Sequence, residues 1–162
     1  METEIYLALV DEFSGHVYKA ALSYCGNQSD AEDVVQNTFL KLLQRKEPFA
    51  DEEHVKKWLI RVAINESKNM CTSFWRKRIV PLEESESISD TGFATEEQSG
   101  LYDAVMQLKE KYRVVIHLYY YEEYSIKEIA QILHIKETTV STRLMRARAK
   151  LKEVLKEDWL DA

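Results

Sequence analysis

A chain of 162 residues with 45% hydrophobic content has room for one ordinary domain or two small ones, and small cores favour helical bundles over a large sheet. Only 4 glycines and 2 prolines leave few signals for hairpins, so an all-α class is expected. The formal net charge of -6 argues against nucleic-acid binding by the chain as a whole, yet it hides a local asymmetry. Glu83, Glu84, Glu86, Asp90, Glu96 and Glu97 are gathered in one acidic stretch. Arg143, Arg146, Arg148, Lys150, Lys152 and Lys156 are gathered in a basic one, with Glu153 alone among them.

The first residues carry neither a basic leader nor a long apolar run, which points to a cytoplasmic location. From about Glu4 to Tyr24, Ile5, Leu9, Phe13, Val17, Ala20 and Tyr24 recur at helical spacing. Cys25-Gly26-Asn27 is a stop. Ser29-Asp30-Ala31-Glu32 then has the form of a capping box, opening a helix with Ala31, Val34, Val35, Thr38, Phe39 and Leu42 inward. Its other face shows Asp33, Gln36, Asn37 and Lys41, which by themselves suit a solvated stripe as well as a docking surface. Arg45 to Glu53 is a polar loop interrupted by Pro48 and Phe49. Phe49 either folds back onto the core or forms an apolar wall for a base. The next helix runs from about His54 to Trp75, with Val55, Trp58, Leu59, Val62 and Ala63 as its apolar stripe. Lys56, Lys57, Arg61, Asn65 and Lys68 stand off that stripe or on its edges.

Pro81 to about Gly100 is rich in Ser, Glu, Asp and Thr and reads as a linker. The expected organisation is a first domain over 1–79, an acidic linker over 80–99 and a second domain over 100–162. In the second domain Leu101, Val105 and Leu108 begin one helix, and Val114, Val115, Leu118 and Tyr119 lie on the next. Tyr119, Tyr120 and Tyr121 offer rings for base stacking or for the core.

Ser125-Ile126-Lys127-Glu128 is a second capping box. Ile126, Ile129, Ala130 and Leu133 follow at i, i+3, i+4 and i+7. A short connection, His134-Ile135-Lys136, leads to a helix with Val140, Leu144, Ala147, Leu151 and Leu155 on one stripe. A short capped helix, a tight turn and a longer basic helix are the sequence form of a helix-turn-helix. The start of the second helix in that motif enters the major groove. Thr138, Thr139, Ser141, Thr142, Met145 and Arg146 lie near that start. Arg can donate twice to guanine, and Thr can touch a thymine methyl. Arg143, Arg148 and Lys150 suit phosphates, which position a protein without reading sequence.

The block YRVVIHLYYYEEYSIKEIAQILHIKETTVSTRLMRARAKL resembles region 4 of the sigma-70 family of RNA polymerase sigma factors. SDAEDVVQNTFLKLL, continued by WLIRVAINESKNM, resembles region 2. The two blocks stand in the family's order, and the short length implies the extracytoplasmic-function group. The resemblance implies promoter recognition, with core RNA polymerase and promoter DNA as partners and an anti-sigma factor, often membrane-anchored, as inhibitor. It places Asp33, Gln36, Asn37, Phe39 and Leu40 against the clamp helices of the largest polymerase subunit. It gives the -10 element to Phe49, Lys56, Lys57, Arg61, Asn65 and Lys68. It gives the -35 element to the face from Thr138 to Arg148. The family usually has an acidic residue where Asn37 stands. His134 stands where many relatives have Gly, and Lys136 where many have a capping Ser.

No Gly-rich phosphate loop, nucleophile motif or metal-ligand spacing supports an enzyme, a cofactor or a small-molecule substrate. Cys25 and Cys71 form no CxxC pair and read as ordinary thiols. A stand-alone repressor using the same motif remains open, as does a helical adaptor that binds only protein. The first binds duplex DNA alone, usually as a dimer, and the second shows no salt-dependent DNA affinity.

Overall fold

In a computed structural model the backbone is described for residues 1–77 and 96–160, and side chains for 1–71 and 100–155. The chain divides into two compact units, Met1–Ile88 and Ser89–Ala162. The described residues are helical with no strand.

The first unit is built from α1 (Thr3–Cys25), α2 (Gln28–Gln44) and α3 (Glu52–Lys77), each packed on the other two. α1 ends because Gly26 takes a left-handed conformation, φ 78°, and returns its N–H to the Leu22 carbonyl. A side chain at that φ would be strained, so glycine suits this turn. The cap of α2 is Asn27 and not Ser29. The Asn27 side-chain oxygen accepts from the Asp30 N–H at 2.8 Å, and its amide donates to the Asp30 carboxylate at 2.7 Å. Ser29 is exposed inside the first turn. The sequence pattern of a capping box was present, but the turn at Gly26 starts the helix two residues earlier.

The core of this unit gathers Phe13, Val17, Ala21 and Leu22 from α1, Ala31, Val34, Phe39 and Leu42 from α2, and Val55, Leu59 and Ala63 from α3. Burying a side chain the size of Leu or Phe contributes about 1.5–3 kcal/mol, so these layers outweigh the marginal caps. Ile5, expected on the inner stripe of α1, is 52% exposed, whereas its neighbour Tyr6 packs on the core. Asp51 starts α3, its carboxylate accepting from the His54 N–H at 2.8 Å. Lys41 on α2 is paired with Glu66 on α3.

The second unit contains α4 (Glu96–Met106), α5 (Glu110–Ile116), a π-helical turn (His117–Tyr121), α6 (Ile126–Leu133) and α7 (Glu137–Leu160). α4 begins inside the segment read as linker; residues 80–95 of that segment, and 78–79 before it, lie outside the described residues. α4, α5 and α6 all pack on α7. Val114, Val115, Leu118, Ile129, Ile132, Val140, Leu144 and Ala147 are all buried, on elements that pack together. The π-helical turn, closed by the Glu122 N–H on the His117 carbonyl, admits an extra residue and shifts the helical register. Leu118 is thereby buried while Tyr120 and Tyr121 are 54% and 47% exposed.

Candidate nucleic-acid and polymerase interface

The helix-turn-helix is held by local chemistry at each joint. Ser125 Oγ accepts from the Glu128 N–H, and the Glu128 carboxylate accepts from the Ser125 N–H, both at 3.1 Å, so the second capping box is complete. α6 ends at His134, φ 56° and ψ 45°, the left-handed turn expected where relatives carry Gly. The Ile135 N–H then reaches back to the Ala130 carbonyl at 3.1 Å. Lys136 offers α7 no side-chain acceptor; its carbonyl takes the Thr139 and Val140 N–H groups.

With Val140, Leu144 and Ala147 buried, the opposite face of α7 is committed to solvent. Thr138, Ser141, Met145, Arg146 and Arg148 are exposed, and Thr139, Thr142 and Arg143 are half-buried. Thr138, Thr139, Thr142, Arg143 and Arg146 line a groove of about 310 Å³ together with Lys111 and Tyr112. The Thr142 hydroxyl donates to the Thr138 carbonyl at 2.9 Å. It is left with lone pairs to accept from a base amino group and a methyl to touch thymine.

Two of the basic side chains are already engaged by tyrosines. Arg148 Nε donates to the Tyr120 hydroxyl at 2.5 Å, and its guanidinium lies 5.4 Å from the Tyr119 ring centroid and 5.5 Å from that of Tyr120. Lys150 Nζ is 5.6 Å from the Tyr112 ring, which Lys111 Nζ also approaches at 5.2 Å. A guanidinium has five N–H donors, so Arg148 is held in one place with donors to spare for a phosphate. Lys111 and Tyr112 were missed by sequence reading because they lie a whole motif upstream of α7. A signal was there: Lys111 precedes a tyrosine on a helix that must pack on α7.

In the first unit, Arg61, Asn65 and Lys68 are exposed along one edge of α3, four and three residues apart, with Lys56 and Lys57 half-buried near its start. Phe49 does not stand free in its loop. It is half-buried against the core, edge-on to Trp58 with centroids 5.6 Å apart and to His54 at 5.1 Å. The Arg45 guanidinium sits 4.3 Å from its ring centroid and 5.1 Å from that of Trp58. The loop is fixed further by the Ala50 N–H on His54 Nδ1 at 3.0 Å. Asn65 stands two turns beyond Trp58, about 10 Å along α3.

On α2, Asp33, Gln36 and Leu40 are exposed and Asn37 half-buried, one continuous stripe. Leu40 is 53% exposed, and Leu43, which sequence reading did not single out, extends the stripe at 48%. Phe39 is 5% exposed inside the three-helix core, so it drops out of the contact surface. Its carbonyl is taken by the Tyr6 hydroxyl at 3.1 Å, which pins α1 to α2. No described helix is long and apolar enough to cross a membrane, and no metal-binding cluster occurs among the described residues.

Comparison with known proteins matches residues 9–78 to the family model for sigma-70 region 2 and residues 99–151 to that for sigma-70 region 4. The ECF RNA polymerase sigma factor SigL of Mycobacterium tuberculosis is 32% identical over 96% of this chain and 92% of its own length. The RNA polymerase sigma factor SigV of Bacillus subtilis is 30% identical over 87% of this chain and 86% of its own. Among solved structures, the sigma factor RpoE of Bartonella quintana, crystallised with the anti-sigma factor NepR, shares the fold with a TM-score of 0.75 at 22% identity, over 95% of this chain and 98% of that one. CnrH, solved with the cytosolic domain of CnrY, gives a TM-score of 0.62 at 25% identity, over 97% and 91%. Two separate units, one presenting a DNA-reading helix, therefore make a promoter-recognising transcription factor. The chain belongs to the sigma-70 family of RNA polymerase sigma factors, in its extracytoplasmic-function group.

Proposed function

We propose that three surfaces divide the work of promoter recognition, with residues 1–79 and 100–162 as the two working domains. α7 enters the major groove of the -35 element with Arg146 and Thr142 at base edges and Thr138, Thr139, Ser141 and Met145 beside them. Arg143, Arg148 and Lys111 face phosphates. The α3 edge of Arg61, Asn65 and Lys68, with Lys56 and Lys57, meets the -10 element. There the packed Phe49–Trp58 pair offers a wall for an unstacked base and Asn65 offers bonds to a neighbouring one. The α2 stripe of Asp33, Gln36, Asn37, Leu40 and Leu43 docks on the clamp helices of the largest polymerase subunit.

The chain acts in the cytoplasm without catalysis of its own, restrained by an anti-sigma factor that covers these surfaces. The fold is shared with RpoE, a sigma factor crystallised with the anti-sigma factor NepR, which supports that partner class. The observation that carries the reading is the outward face of α7, aligned by a complete capping box and a left-handed turn while Val140, Leu144 and Ala147 on its inner face are buried. Run-off transcription with purified core polymerase tests it. Start-site-specific transcripts are expected only when this chain and core are both present. Tight binding to promoter duplex by a dimer of the chain, without core, would overturn it.

A further inference from the structure

Cys25 is the last residue of α1, and Cys71 lies in the later part of α3. Their Sγ atoms are 3.2 Å apart although 46 positions separate them in sequence. The packing of α1 on α3 makes this approach, which no local motif could have announced. Both side chains are half-buried, so small reagents reach them from one side. They are the chain's only 2 cysteines, and none of the three surfaces above uses them.

A disulfide needs an S–S separation of about 2.0 Å, so the sulfurs must close by about 1.2 Å, a distance that modest rotation about χ1 supplies. We propose that Cys25 and Cys71 are a reversible dithiol–disulfide pair, oxidised by low-molecular-weight disulfides, that staples α1 to α3. One protein thiolate attacks a sulfur of the small disulfide, forming a mixed disulfide and releasing one small thiol. The second protein thiolate then attacks the mixed disulfide at the protein sulfur and expels the other small thiol. Two protein thiols are oxidised, one small disulfide is reduced to two thiols, and the two protons pass to the leaving sulfurs. Reducing compartments keep such a pair as the dithiol, so the staple forms only when the thiol pool is oxidised. The long loop it closes restricts the unfolded chain, which raises the stability of the first unit.

The full chain, first reduced, is incubated with oxidised glutathione and followed by intact mass, thiol titration and thermal unfolding. The expected product is a monomer that has lost both thiols and two hydrogen atoms and retains no glutathione. Its Tm rises by an amount on the order of 10 °C and returns on reduction. Cys25→Ser and Cys71→Ser should each retain one glutathione and gain no such rise. Glutathione retained on both cysteines of the parent, disulfide-linked dimers, or an internal disulfide with no gain in Tm would each overturn the proposal. The parent's mass and Tm decide the matter even if a serine variant does not fold.

Discussion

The α6–α7 pair and the α2–loop–α3 segment both present polar side chains to solvent, but they are held in different ways. In α6–α7 the positioning is local: Ser125 with Glu128, then His134 at positive φ, then a buried stripe at helical spacing. In α2–α3 it is tertiary. Phe49 is held by Arg45 from the end of α2 and by His54 and Trp58 from α3, and Phe39 is enclosed by α1 and α3. A surface set by neighbours in sequence can be read from sequence. One set by distant packing shows only in the fold.

Adjacent residues on α2 give the sharpest contrast between packing and surface. Phe39→Ala should cost about 3–5 kcal/mol of stability, measured by urea unfolding, because it empties a filled core position. Leu40→Ala should change stability by no more than about 0.5 kcal/mol, as exposed substitutions usually do, while weakening co-elution with core polymerase. Equal stability losses would mean that the α2 stripe is structural.

The caps give the next effect. Asn27→Ala should destabilise the first unit by about 1 kcal/mol, and Ser29→Ala by much less. The reverse order would restore the cap that the bare sequence pattern suggested. Smallest is the salt response. Arg148→Ala should lower the slope of log affinity against log salt by about one unit, for all promoter sequences alike. Tyr120→Phe, which removes only the hydroxyl that accepts from Arg148, should move that slope less, with the base preference unchanged.

The helical class and the short-helix, turn and long-helix form of α6–α7 were legible, because each rests on residues within a few positions of one another; the left-handed turn at His134 was suggested only by the family resemblance. Helical spacing placed Phe39 inward, and its 5% exposure agrees; only the family resemblance had set it among the contact residues. The tyrosine run was ambiguous because the π-helical turn breaks the 3.6-residue register on which a periodicity argument relies. Lys111 and Tyr112 join the α7 groove, and Cys25 meets Cys71, only through contacts that span one whole unit.

The central claim is that polymerase docking and -35 reading are separate properties of the two units. Binding of holoenzyme to a library of promoters randomised across the -35 element tests it directly, with core affinity measured in parallel. Arg146→Ala should flatten the preference at one or two base pairs, a loss of about 1–3 kcal/mol of discrimination, and leave core affinity unchanged. Asp33→Ala with Gln36→Ala should lower core affinity and leave the base preference intact in the holoenzyme that forms. A uniform loss across all sequences for Arg146→Ala, or an altered base preference for the α2 double variant, would contradict the account.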